Sequence, residues 1–193
     1  MNKRSAEESK QIILAAAQTV FAEQGYARAN MRDIARVAGI SVGGLYLYFK
    51  NKEDLYQTFM LDWMNNLNDR THEALIKFSD PVEAIRAFIT ISIDFARTHK
   101  EMIILQGREW GFSFGVDLKR DFFQERRKII ADIVRKGMEM GLFRQGDADG
   151  IAKVMFNILR GFAVSMVIDE DALFSDEDCV NLVLHGLLRR NDG

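Results

Sequence analysis

The sequence is poor in whatever would interrupt or staple a helical chain. Pro81 is the sole proline among 193 residues, so little stands in the way of long helices. Cys179 is the sole cysteine; it excludes an internal disulfide and fits a reducing, cytoplasmic setting. No stretch of about 18 residues is free of charge, which argues against a transmembrane helix and a membrane partner. Met1 to Lys10 is charged rather than apolar, unlike a signal peptide. Strand-like alternation and internal repeats are missing too. His72, His99 and His185 are scattered without metal-ligand spacing, Cys179 has no partner motif, and no Gly-x-x-x-x-Gly-Lys phosphate loop occurs. The acidic runs at 169–171 and 176–178 read as a solvated turn and a helix cap. The sequence thus offers no catalytic residue, no metal site and no cofactor motif, which sets an enzyme well down the order of readings.

What remains is an ordinary globular composition, 48% hydrophobic and 28% charged, unevenly charged along its length. Residues 1–53 hold eight Lys/Arg against five Asp/Glu, a balance of +3 that leaves −5 for residues 54–193 out of the total of −2. A basic head on an acidic body points to a polyanion as partner of the head. The apolar spacing is helical nearly throughout and predicts an all-α chain of about nine helices. The first opens on the capping box Ser5–Glu8 and stops at Gly25. Asn30 caps a second to Ala38, ended by Gly39. Ser41 caps a third, reaching about Tyr48, and Asn51 starts a fourth that runs to about Phe78. Asp80-Pro81-Val82-Glu83 opens a fifth. A break rich in glycine and aromatics covers 107–115. Later helices span about Asp117 to Met140, from near Asp147, and from Ser175. The head, residues 1–53, joins the body, 54–193, without a linker, so the two are expected to be mechanically coupled through the fourth helix.

Residues 30–55 are the informative stretch. Two short helices meet at a tight turn: Ile34, Ala35 and Ala38 form the inner face of the first, small Ala35 lets the second cross closely, Gly39 supplies the positive φ of the turn, and Leu45 and Phe49 face inward from the second. This is a helix-turn-helix, whose second helix enters a DNA major groove. Ile34-Ala35, Ala38-Gly39-Ile40-Ser41, Gly43, Tyr46, Tyr48-Phe49 and Lys52, preceded by Phe21-Ala22-Glu23-Gln24-Gly25-Tyr26, resemble the TetR family of bacterial regulators in order and spacing. The resemblance covers about Ile12 to Leu55; the body agrees only in helix number and length.

Several residues are candidates for DNA contact. Arg32 stands in the first turn of the second helix, where it either reaches a phosphate or base edge or is a solvated charge. Asn30 caps, contacts phosphate, or both, and Ser41 is first of all a cap. The resemblance implies that Val42, Gly43 and Gly44 meet the bases, with close backbone approach at the glycines and a thymine methyl for Val42. It also implies that Tyr46, Tyr48 and Lys52 contact phosphates; Lys50 is a further cation nearby. Backbone contacts of this kind set register, and base-edge contacts set sequence preference.

In the body, Ile151, Met155, Ile158 and Phe162, with Val180, Val183, Leu184, Leu187 and Leu188, form two apolar stripes. They either cover the protomer's own core or, as the resemblance implies, pair with their symmetry mates in a homodimer that reads two half-sites of double-stranded operator DNA. Trp63, Met64, Phe88, Phe95, Met102, Trp110, Phe114 and Phe122 are core by default; the resemblance implies that some of them line a cavity for an unidentified small effector, lipophilic or aromatic, with Arg108 as a polar handle or a surface charge. The expectation is a ligand-released repressor. A helical protein-binding adaptor without effector response is the alternative, and the helix-turn-helix speaks against it.

Overall fold

The computed structural model describes residues 5–101, 103, 104 and 116–188. Among these residues eight α-helices form, joined by turns, with one 3-10 turn and one isolated antiparallel bridge, Phe143 to Leu188. The fold is all-α, as the spacing predicts; beyond these eight helices, residues 100, 101, 103 and 104 are helical as well. Met102, Arg108, Trp110 and Phe114, with the glycine-rich break around them, lie outside the described residues.

Most helix starts are set by a side chain within three residues of the cap. Helix α1 (Ala6–Arg28) opens with the Ser5 Oγ accepting from the Glu8 N–H while the Glu8 carboxylate accepts from the Ser5 N–H. Gly25, at φ 72°, breaks α1 where the sequence ends it, and a last turn continues to Arg28. Asn30 Oδ1 accepts from the Asp33 N–H to start α2 (Met31–Ala38), which Gly39 closes at φ 66°. Ser41 Oγ accepts from the Gly44 N–H to start α3 (Val42–Tyr46). Helix α4 (Lys52–Leu75) begins where Asn51 Oδ1 takes the Asp54 N–H. Asp80 and Pro81 open α5 (Pro81–Thr98). Helix α6 spans Val116–Glu139, α7 spans Ala148–Ile168 from its cap Asp147, and α8 spans Asp176–Leu187 behind a second capping box, Ser175 with Asp178. Helix α7 is long and apolar enough to cross a membrane by length and composition alone, although Asp149, Lys153 and Arg160 interrupt it.

The described residues divide into two compact units. One holds the chain up to Met64, together with Ile104; the other holds 65–103 and everything from Val116 onward. In the first, Ile13, Ala17, Phe21, Ile34, Ala35, Leu45, Phe49 and Leu55 are buried. The rings of Phe21, Tyr26, Tyr56 and Phe59 are packed beside them, the closest pair, Tyr26 and Tyr56, with centroids 4.8 Å apart. Each such ring taken out of water contributes about 1.5–3 kcal/mol. In the second, Ile85, Phe88, Ile89 and Ile93 of α5 pack with Ile130 and Val134 of α6, Phe162 of α7 and Val180 of α8. Here Phe143 lies so close to Gly137 that a Cβ on Gly137 would fall 2.1 Å from its ring.

Most residues of the apolar stripes on the last two helices face the protomer's own core. Met155, Phe162, Val180, Val183, Leu184 and Leu187 are all buried within their own protomer, where they cover its own core and leave little surface for a second copy. Ile151 and Ile158 are half-buried and Leu188 is exposed. The apolar groups that stay outside are different ones. Val154 is 62% exposed, Leu182 67% and Ile168 78%. Helix α7 is apolar on more than one side, and spacing alone does not say which side turns inward.

Candidate nucleic-acid interface

Helices α2 and α3 meet at a turn closed by two backbone bonds, Gly39 N–H to Arg36 O at 3.2 Å and Ile40 N–H to Ala35 O at 3.0 Å. Leu45 and Phe49 anchor α3 into the core. The opposite face is open. Ser41 and Gly43 are exposed, Val42 and Gly44 half-buried, and Tyr46 is 51% exposed, with Tyr48 also exposed. Beyond its chain neighbours and the backbone of its own helix, no atom of the described residues lies within 4 Å of the place where a Cβ on Gly43 would stand, so this edge is open to close approach. Sequence reasoning missed Leu47, 85% exposed at the end of α3. No local pattern marks it, since apolar residues are frequent on both sides of so short a helix.

The charged candidates separate into committed and uncommitted side chains. Arg32 and Lys50 are exposed, and neither side chain makes an ion pair or hydrogen bond with the described residues. Asn30 is exposed but engaged: its Nδ2 donates to Asp33 Oδ2 at 2.7 Å while its Oδ1 caps α2. Asp33 also receives Arg36 at 3.4 Å. Lys52 is half-buried and engaged within the protein. Its Nζ donates to the carbonyls of Tyr26, Ala27 and Ala29 at 2.7, 3.3 and 2.9 Å and sits 4.4 Å from the centroid of the Tyr26 ring. An ammonium has three protons, and here they meet the carbonyls that close α1, the negative end of its dipole. The resemblance implies a phosphate anchor at this position, and without DNA the Lys52 protons cap α1.

The candidate ligand residues fall into both units. Trp63 is half-buried and Met64 buried in the first; Phe88 and Phe95 are buried and Phe122 half-buried in the second. Sequence reasoning also missed Arg126, one of the two buried polar side chains among the described residues, the other being Thr71. Its Nη1 donates to Thr71 Oγ1 at 2.6 Å, its Nη2 donates to Ser92 Oγ, and its guanidinium carbon lies 4.2 Å from the centroid of the Phe88 ring. Burial pushes this guanidinium down to about 9, so it stays charged at neutral pH. A signal existed: Arg126 falls three and four residues from Phe123, Phe122, Ile129 and Ile130, inside the apolar stripe of α6. Cys179 is buried, and desolvation, with a further push from Asp176, raises its thiol to about 11; it is an inert core thiol.

A short, exposed second helix crossing the first of a close-packed pair, beside unpaired cations, defines a helix-turn-helix DNA-binding regulator. Comparison with known proteins agrees. The family described as "Bacterial regulatory proteins, tetR family" matches residues 13–58. The transcriptional regulator TtgR of Pseudomonas putida is 30% identical over 179 residues, 82% of this chain and 80% of that one. The transcriptional repressor KstR2 of Mycolicibacterium smegmatis is 32% identical over 138 residues, which cover 68% of this chain and 66% of KstR2. The fatty acid degradation regulator FadR of Bacillus halodurans shares the fold, with a TM-score of 0.80 at 23% identity over 98% of this chain and 100% of that one. The chain belongs to the tetR family of bacterial regulatory proteins.

Proposed function

We propose that this regulator is a cytoplasmic repressor that binds a palindromic operator as a homodimer and leaves it when a small lipophilic or aromatic effector occupies the second unit. The observation that carries the first half is the open face of α3, with Val42, Gly43, Gly44, Tyr46 and Tyr48 presented between two uncommitted cations, Arg32 and Lys50. Arg32 and Lys50 hold phosphates and set register; Val42, the glycine edge and Leu47 meet the base edges, where Leu47 adds an apolar contact for a thymine methyl. Lys52 acts one step back, by fixing the end of α1.

Two recognition helices are needed for a specific site, spaced by about 34–36 Å for half-sites one helical turn apart. The apolar groups left outside on α7 and α8, Val154, Ile168 and Leu182, supply the surface for the partner copy, and the same need for a partner accounts for an α7 apolar enough to resemble a membrane span. The boundary between the two units falls within α4, which makes α4 the element through which an effector would act. The effector shifts the balance only by its difference in affinity for the DNA-competent and DNA-released states.

The test is a mobility-shift titration on the duplex upstream of the chain's own coding sequence. Arg32→Ala and Lys50→Ala are expected to weaken binding and each to lower the salt slope by about 1. Full affinity and an unchanged slope in both variants would refute the assignment. Leu182→Glu is expected to yield monomers in analytical ultracentrifugation and to lose operator binding with them.

A further inference from the structure

Arg126 carries a charge that its surroundings do not match. It is 3% exposed, and no carboxylate pairs with it among the described residues. Its protein acceptors are two neutral hydroxyls, and both are already oriented by bonds of their own: Thr71 Oγ1 donates to Leu67 O at 2.7 Å and Ser92 Oγ donates to Phe88 O at 2.6 Å. Those bonds turn lone pairs toward the guanidinium and lock it between α4 and α5, but they neutralise nothing. Of its five N–H groups, three have no acceptor among the described residues. Other arginines lie over rings in this unit, but Arg70 on Phe95 and Arg97 on Phe162 are exposed, Arg127 on Phe156 and Arg160 on Phe123 are half-buried, and none of these four is as deeply buried as Arg126. A cation taken out of water without a counter-ion is costly unless something supplies the missing charge. A second unmet group stands on the same face of α4, three residues from Thr71: Asn68 Oδ1 is buried and has no hydrogen-bond donor among the described residues.

We propose that Arg126 is the anion receptor of the effector site and binds the carboxylate of an apolar monocarboxylic acid, with Asn68 Oδ1 accepting from a hydroxyl or N–H group on the same ligand. The inference deepens the reading that the second unit takes a small effector, and rests on it. The charge selects the class: one buried guanidinium balances a single negative charge, whereas a phosphate dianion would leave one charge unmatched. The fork of N–H groups suits a planar carboxylate. Thr71 lies on α4, Ser92 and Phe88 on α5, and Arg126 on α6, so an anion drawn to the guanidinium acts on the side chain that ties these three helices.

Isothermal titration of the full chain tests this, using octanoate, decanoate, benzoate and 3-phenylpropionate, each against its primary amide, with decyl phosphate as a further arm. At least one acid is expected to bind about 10- to 100-fold more tightly than its amide. Arg126→Gln, checked for native helix content by circular dichroism, is expected to erase that preference, and Arg126→Lys to keep part of it. If no acid outbinds its amide in the unmodified chain, or if Arg126→Gln keeps the preference, the guanidinium is structural and the proposal fails. If decyl phosphate binds more tightly than decanoate, the monocarboxylate class is wrong. The unmodified chain decides alone should the Gln variant not fold. Adding the bound acid to the mobility shift separates the two readings: an acid that binds through Arg126 yet leaves the operator complex intact refutes the effector function and leaves the receptor standing.

Discussion

Each unit of this regulator engages a cation with its own oxygens, half-buried Lys52 in the first and buried Arg126 in the second, and the two are spent differently. Lys52 in the first unit gives its protons to three main-chain carbonyls. Arg126 in the second gives two of its N–H groups to hydroxyls that are already satisfied through their own donors. A saturated cation among carbonyls is a structural fastener: take it away and the carbonyls are left without donors. An unsaturated cation among neighbours that hold bonds of their own is a receptor: take it away and each hydroxyl still keeps one hydrogen bond. Head and body therefore place the same kind of charge in opposite service.

The widest gap between the two is expected in stability. Lys52→Met should lower the unfolding free energy by about 3 kcal/mol, because charge-assisted bonds are lost and the end of α1 is left bare, read from urea denaturation. Operator affinity should fall with it while the salt slope stays put; a slope reduced by about 1 would instead make Lys52 a phosphate contact after all.

Arg126→Met should go the other way. Thr71 and Ser92 keep their bonds to Leu67 O and Phe88 O, and an unmatched charge gives way to an apolar chain of similar length. The variant is expected to be as stable as the unmodified protein or more stable by about 1 kcal/mol, with an unchanged or higher thermal midpoint. A loss of about 3 kcal/mol would erase the contrast and make Arg126 a fastener like Lys52.

The smallest effect concerns a charge outside this pair. The Ser175 side-chain hydroxyl and then its backbone N–H hold the Asp178 carboxyl below the usual carboxylate range. A lowered folded value means that the stabilisation is present above the ordinary carboxylate range and is lost as pH falls through the lowered value. Asp178→Asn should flatten that acid limb by lowering stability slightly near neutrality, toward the level both proteins share in acid. An acid limb identical in both proteins would remove Asp178 from the account.

Much of the head was legible in the residues. Asn30, Ser41 and Gly39 stand where their spacing puts them, and Leu45 and Phe49 face the core as predicted, because each of these choices depends on neighbours a few positions away. The side chain of Lys52 was not legible, since it acts across 23 to 26 residues of chain, and a lysine in a first helical turn looks alike whether it faces a phosphate or a carbonyl. The body was read correctly at its caps and less so at its faces. Met155, Phe162 and Leu184 form good apolar stripes whether they pack inward or against a second copy, and only their burial separates the two.

By itself the sequence determined where helices begin and end and which stretch makes the helix-turn-helix, because caps, turn glycines and apolar periodicity are settled by interactions within a few residues. The tertiary structure alone decided which side of α7 and α8 turns inward, why Gly137 must be bare beside Phe143, and that the hydroxyls meeting Arg126 come from 55 and 34 residues away. Contacts at such separations depend on how whole helices pack, and no local preference records them.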